Sequence, residues 1–221
     1  SGKIIISGIR LAWDLGDMNS VQNLSEQILQ QNPDNDVAIR FSLQSLVKLG
    51  NLEDLRKGIK SSLKFNPENI DAYNMAINLA LEEDGDYEEA IKLCDKILEF
   101  EPSYRQALTK KVQALGRLRL NDEMIEASDL ALTILSDDDE VTLTSAQAEW
   151  QVNSGKHIDL VNSMLERHGM ATISSDEHSN SLAIEYIQCE TESMSSHNEM
   201  VSVIMTVYGK DKYLDVAINS I

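Results

Sequence analysis

The three prolines of this chain are almost evenly spaced, at intervals of 34 and 35 residues. Pro33 lies in QQNPDN, Pro67 in KFNPEN and Pro102 in EFEPSY. Each proline follows one stretch with apolar residues at helical spacing and precedes another. Proline ends a helix before it and is tolerated in the first turn of the next helix. The spacing therefore predicts an array of helical units, each about 34 residues long.

Glycine-containing turns recur in register between these prolines. They read LGDM at 15–18, LGNL at 49–52 and EDGDY at 83–87. A glycine at the end of a helix supplies the left-handed backbone conformation that closes it. Each unit is thus predicted to be a helix, a glycine turn, a second helix and a proline turn.

Five units follow from this period. Their bounds are 2–35, 36–69, 70–104, 105–138 and a degenerate 139–168. The third unit has one extra residue near Asp84 and Gly85, and the fourth lacks both the turn glycine and the proline. The acidic run at 137–139 fits a helix N-terminus, where carboxylates cap free N–H groups. A calcium site is the less favoured interpretation of that run, because it has no supporting ligand spacing.

Composition excludes several classes of protein. The formal charge of −18 argues against general nucleic-acid binding, which needs clustered basic residues. Few glycines and prolines disfavour a β-sandwich or small barrel. Two cysteines do not make a disulfide framework, and the four histidines have no zinc-ligand spacing. No apolar run approaches the roughly 20 residues of a membrane span.

The repeat resembles the tetratricopeptide repeat (TPR) family. The small residue near the start of that family's second helix is Ala90 in unit three, and larger side chains take its place elsewhere. Those side chains are Val21, Leu55 and Met124. The resemblance is good over 2–138 and weak to 168. It implies an all-α, right-handed solenoid of helical hairpins.

By this resemblance, the first helix of each unit lines a concave groove that binds a protein or peptide. The candidate groove residues are Arg10, Arg40, Gln44, Asn74, Asn78, Lys110, Gln113 and Arg117. Cations and amides in this set favour an acidic or extended partner. The set only loosely resembles the carboxylate clamp of some family members, because Met75 and Gln106 depart from it. The alternative, that these are simply solvated polar positions, stays open.

The pattern changes after residue 168. Residues 169–199 are predicted to be a polar linker with a candidate helix at 182–188. Residues 201–207 read as a buried strand that is followed by a turn and a helix. The segment VSVIMTVYGKDKYLDVAINSI resembles the opening of family 2 glycosyltransferases with the GT-A fold, except at Gly209, where asparagine is usual. It predicts a short β-α remnant of an α/β domain at 200–221.

That resemblance implies that Thr206 and Tyr208 border the nucleobase of a nucleotide-sugar donor. The family's metal-binding carboxylates and catalytic base would lie beyond Ile221, so we expect this chain to be a fragment without catalytic competence. We expect no catalytic residue, metal or cofactor in the chain, and Mg²⁺ or Mn²⁺ in a full transferase. An ordinary strand and helix without a ligand is the alternative.

Two functional hypotheses follow. The first is a TPR interaction module of a nucleotide-sugar glycosyltransferase that takes part in bacterial surface polysaccharide synthesis. It would lie in the cytoplasm, at the inner face of the membrane, and bind a protein or the glycan acceptor. The second is a stand-alone TPR scaffold or adaptor with no enzymatic domain.

Overall fold

The computed structural model describes residues 2–150, 152–170, 172–175 and 187–189. The chain divides into two units, residues 1–148 and residues 149–221, and each is described by itself below. The first unit contains the first four predicted repeats and the start of the degenerate fifth, 139–168. The candidate nucleotide residues Thr206 and Tyr208, and the whole predicted remnant at 200–221, lie outside the described residues.

Paired helices make up the first unit. Their bounds are α1 Gly2–Asp14, α2 Met18–Leu29, α3 Asp36–Lys48, α4 Leu52–Phe65, α5 Ile70–Asn78, α6 Tyr87–Phe100, α7 Arg105–Arg117, α8 Asn121–Ile134 and α9 Asp139–Glu149, whose last residue belongs to the second unit. Each helix from α1 to α7 packs on the next one in the chain. We call the odd-numbered helices first helices and the even-numbered ones second helices.

Asparagine and aspartate side chains set where most of these helices begin. The Asn35 side chain accepts a hydrogen bond from the Ala38 N–H at 2.9 Å, and Asn69 does the same for Ala72 at 2.8 Å. In the acidic run, Asp138 Oδ1 accepts from the Val141 N–H at 3.1 Å. These bonds satisfy N–H groups that have no partner within the helix. The predicted capping role of the acidic run is therefore observed.

Each first helix from α1 to α7 ends in the same left-handed turn. Gly16, Gly50 and Gly85 have φ values of +74°, +67° and +63°. After α3, the Gly50 N–H bonds to Val47 O at 3.0 Å and the next N–H bonds to Leu46 O at 3.0 Å. This pair of bonds is the Schellman motif, for which glycine is the usual residue. In the fourth repeat, Arg119 takes the position at φ +58°.

The extra residue of the third repeat is absorbed in a π-helical segment, Leu79–Asp84, that continues α5. The turn bond there runs from the Asp86 N–H to Ala80 O at 2.8 Å and spans six residues. The corresponding bond after α3 spans five residues. Each hydrogen bond of a π-helix spans five residues, one more than in an α-helix. The insertion is therefore accommodated without a change in the helices that flank it.

The core lies between first and second helices and matches large side chains with small ones. Ala90 packs with Ala80 and Ala114, and all three are buried. Met124 holds the place of Ala90 in the fourth repeat, and Gly116 lies opposite it. A Cβ on Gly116 would lie 3.1 Å from Met124 Sδ. The larger residues that depart from the TPR pattern are thus accommodated locally, as close packing requires.

The second unit contains α10, Ser154–Arg167, and two short antiparallel strands. The strands are β1 Ile173–Ser175 and β2 Ile187–Cys189, with Ser174 opposite Gln188. The prediction of a helix over 182–188 is wrong at its end, because residues 187 and 188 lie in β2. Residues 182–186 lie outside the described residues. Cross-strand pairing here overrides the helical spacing of a short apolar run.

Candidate functional site

The candidate groove residues lie on four successive first helices. Arg10 is on α1, Arg40 and Gln44 are on α3, Asn74 and Asn78 are on α5, and Lys110, Gln113 and Arg117 are on α7. We call this set the first-helix face. Its arginines and Gln113 are exposed, whereas the other amides and Lys110 are half-buried.

Lys110 and Asn78 join α7 to α5. The Lys110 ammonium donates a hydrogen bond to Asn78 Oδ1. Burial lowers the pKa of Lys110, and the nearby Cys94 and Glu82 act in the opposite direction. A partly desolvated ammonium has few water partners to lose, so it is a better donor to an incoming acceptor than a fully hydrated lysine.

A second contact joins α5 to the residue that precedes α7. Asn74 Nδ2 donates to the Tyr104 hydroxyl at 2.6 Å, and that hydroxyl donates to Gln106 Oε1 at 3.0 Å. Tyr104 precedes α7 at the position where Asn35 and Asn69 cap α3 and α5. Tyr104 is a member of the site that the sequence pattern did not predict. The absence of an asparagine cap in the fourth repeat was the signal that could have found it.

Asp71 and Arg40 place a charged pair on neighbouring first helices. Burial raises the pKa of the Asp71 carboxyl, the Arg40 guanidinium lowers it, and Asp36 raises it. Asp71 is half-buried and Arg40 is exposed. The exposed guanidinium therefore has planar donors that it can offer to a ligand carboxylate.

We expect Arg40→Gln to raise the pKa of Asp71 further, because it removes the positive charge that stabilises the carboxylate. The raised folded-state pKa means that Asp71 contributes stability at low pH and loses that contribution as the pH rises through its folded pKa. NMR titration of the Asp71 carboxyl carbon in both proteins measures the shift. Lys48→Gln, which removes a cation elsewhere on α3, is the matched control. An unchanged Asp71 pKa in Arg40→Gln would contradict this coupling.

Not every predicted residue joins this cluster. Among the described residues, no hydrogen bond or ion pair links Arg10, Gln44 or Gln113 to it. Cys94 is fully buried, and burial raises the pKa of its thiol to about 12. Such a thiol is a core side chain and not a nucleophile at neutral pH.

Metal-binding and membrane-spanning features are absent from the part of the chain that the structure describes. No group of three His, Cys, Asp or Glu side chains there could hold a metal ion. None of the helices there is long and apolar enough to cross a membrane.

The second helices form grooves of their own. One groove of about 620 Å³ lies over α3, between α2 and α4, and its lining includes Gln22, Leu46 and Phe65. Gln22 Oε1 accepts hydrogen bonds from the hydroxyls of Ser45 at 2.8 Å and Ser42 at 3.1 Å. This groove is a second surface on which a ligand could be accommodated.

Comparison with known proteins identifies the fold but no family. No protein-family model matches the chain, and no curated protein matches its sequence. Three solved structures show the degree of similarity, and each matches 76% of this chain. MamA from Desulfovibrio magneticus RS-1 is 12% identical with a TM-score of 0.62, and 95% of it is covered.

The other two structures are TPR proteins from bacteria. The protein from Thermus thermophilus is 17% identical with a TM-score of 0.51, and 92% of it is covered. The protein from Parabacteroides merdae is 17% identical with a TM-score of 0.63, and 67% of it is covered. The paired helices, the left-handed turns and these similarities together identify the fold of the described repeats as a TPR-like helical solenoid.

Proposed function

We propose that this chain is a protein-interaction scaffold that binds an extended peptide segment on the first-helix face. The observation that carries the proposal is the pair of contacts from α5 to α7 and its N-cap, Asn78 with Lys110 and Asn74 with Tyr104. These contacts hold amides and a cation in fixed positions on a half-buried surface. A structure that only had to keep these helices together could use apolar side chains there instead.

The chemistry of this face suits a peptide backbone. Each residue of an extended peptide offers one N–H donor and one C=O acceptor, and an asparagine amide matches both. Asn74 and Asn78 are four residues apart and so lie on the same side of α5. An extended chain along that side would meet both amides, and it would have to displace the Tyr104 hydroxyl or reach the buried Asn74 Oδ1 to bond with Asn74.

Cations on the same face favour carboxylates in that partner. Arg40 and Lys110 lie on α3 and α7, on either side of the α5 amides. The net charge of −18 opposes an acidic partner at long range. Salt at 0.15 M screens such repulsion beyond about 8 Å, so contacts at the face decide the affinity.

We expect peptides selected from a random phage-displayed library against the whole chain to bind through the first-helix face. Asn74→Ala with Asn78→Ala should weaken the binding of a selected peptide by about five- to 150-fold, since each lost hydrogen bond contributes about 0.5–1.5 kcal/mol. Fluorescence anisotropy of the labelled peptide measures the affinity. Circular dichroism melting verifies that the variant is folded.

Asn23→Ala is the matched control, because Asn23 is an exposed asparagine on the second helix α2. Its affinity for the same peptide should equal that of the wild type. If the double variant binds the peptide as well as this control does, the peptide binds elsewhere and the first-helix face is not the site. A loss on Gln22→Ala alone would place it in the groove between α2 and α4.

A role beside a nucleotide-sugar glycosyltransferase is a finer proposal that rests on residues 201–221 alone. The comparisons favour the stand-alone scaffold, because the matches are to TPR structures and no family model matches. Peptide binding on the first-helix face requires neither Thr206 nor Tyr208. The proposed function therefore applies whether the chain is a transferase module or a stand-alone scaffold.

A further inference from the structure

The turn between α7 and α8 departs from the other turns of the solenoid at its left-handed position. Arg119 adopts φ +58° where the first three repeats have glycine. Its N–H bonds to Gly116 O and the next N–H bonds to Leu115 O, both at 3.1 Å, so the Schellman hydrogen bonds are kept. A residue other than glycine is strained in this conformation, because its Cβ crowds the backbone. The fourth turn therefore carries a strain that the other turns do not.

The same turn also lacks its helix cap. Leu120 precedes α8 without a side-chain cap and is 39% exposed. Asp17, Asn51 and Asp86 occupy this position in the other repeats and each accepts a backbone N–H. Two independent stabilising features are thus missing from one turn. Strain and lost caps that persist in a fold are concentrated where side chains have a function.

The charge of the side chains near this turn indicates what kind of partner it suits. Residues 105–119 contain five basic side chains and no acidic one, in a chain with 19 Lys and Arg against 37 Asp and Glu, and the next acidic side chains are Asp122 and Glu123 in the first turn of α8. The five are Arg105, Lys110, Lys111, Arg117 and Arg119. Arg105 forms ion pairs with Asp138 and Glu140, and Lys111 forms one with Asp95. Lys110 donates a hydrogen bond to Asn78. Arg117 and Arg119 are exposed and form no ion pair within the described residues.

We propose that Arg117, Arg119 and Leu120 form an anchor for an acidic segment of a partner protein, in which the two guanidinium groups bind carboxylates and Leu120 provides an apolar contact. This set is the anchor turn. The proposal deepens the proposed function and rests on it, since Arg117 also ends the α7 part of the first-helix face. Guanidinium groups bind carboxylates through two parallel hydrogen bonds, which an ammonium cannot do. A peptide lying along that face would reach this turn with its acidic end.

The test uses a fluorescein-labelled hexaglutamate peptide and the whole chain. We expect Arg117→Gln and Arg119→Gly each to weaken binding by about two- to fivefold, which is typical of one exposed ion pair, and the double variant by roughly tenfold. Lys48→Gln is the matched control, because Lys48 ends α3 as Arg117 ends α7. Its affinity for hexaglutamate should stay within about twofold of the wild type.

Stability separates the anchor from a merely structural role. Arg119→Gly should raise the melting temperature by about 2–4 °C while it weakens binding, because glycine relieves the left-handed strain. Equal hexaglutamate binding by the double variant and by Lys48→Gln would overturn the proposal. So would a lower melting temperature for Arg119→Gly. Self-association of the wild type that the double variant abolishes would also overturn it, in favour of contact with a second copy.

The two proposals fail in different ways. Asn74→Ala with Asn78→Ala tests the first-helix face and leaves the anchor turn intact. If that variant still binds the library-selected peptide while the double arginine variant loses hexaglutamate, the anchor exists without the proposed face. The reverse pattern supports the face and overturns the anchor.

Discussion

Ile97→Ala is expected to lower the free energy of unfolding by about 2–5 kcal/mol. Ile97 is fully buried on α6 and packs with Ile77 of the third repeat and Ala107 of the fourth. The substitution removes buried apolar surface and leaves a cavity that neighbouring helices cannot easily close, since first and second helices pack on both sides. A loss of this size is a large part of the roughly 5–15 kcal/mol that stabilises an ordinary domain.

Urea denaturation followed by circular dichroism measures this loss. Leu130→Ala on α8 is the matched control, because Leu130 is 53% exposed, and its change should stay within about 0.5 kcal/mol. Repeat arrays are held together by contacts between neighbours. We therefore also expect Ile97→Ala to separate the unfolding of repeats one to three from that of repeat four. A loss below about 1 kcal/mol would show that this junction is loosely packed.

Lys156→Met is expected to lower the free energy of unfolding of the second unit by about 2–4 kcal/mol. Glu149 is 2% exposed, and its Oε1 lies 2.6 Å from Lys156 Nζ. That oxygen accepts no hydrogen bond of ordinary geometry, so the contact acts as an ion pair. Removal of the ammonium leaves a buried carboxylate without its counter-charge, which costs more than the intact pair contributes. Because the Lys156 side chain is 35% exposed, water can compensate part of the loss.

A double-mutant cycle isolates this pair. Glu149→Gln with Lys156→Met should recover a large part of the stability lost in Lys156→Met, because the neutral amide no longer needs a counter-charge. Hydrogen exchange of the α10 amides, measured beside global unfolding, reports the second unit. Additive losses in the double variant would show that the two side chains are independent.

Regular spacing made the repeats predictable from sequence. Proline and glycine act locally, so Pro33, Pro67, Gly16 and Gly50 marked the helix ends without any knowledge of the tertiary structure. The sequence did not show which residue would adopt the left-handed conformation in the turn that lacks glycine. Arg119 was therefore not predicted at that position.

Contacts between repeats were harder to predict. Tyr104 and Asn74 are 30 residues apart, and their hydrogen bond depends on how α5 and α7 pack. The β2 strand was mistaken for a helix because a short apolar run has no distinctive period and its pairing is not local. The periodicity of a single chain predicts which residues share a helix face, but not which of them meet across two helices.

The π-helical segment Leu79–Asp84 shows how such an array can vary in length. The added residue widens one turn of one helix, and the following helix still begins with an ordinary cap, in which Asp86 accepts from the Glu89 N–H at 3.0 Å. Insertion of one residue at this place thus leaves the later repeats in the same structural register as the earlier ones. Engineers who splice repeats from different proteins could place mismatched lengths at this junction and keep the surfaces on either side aligned.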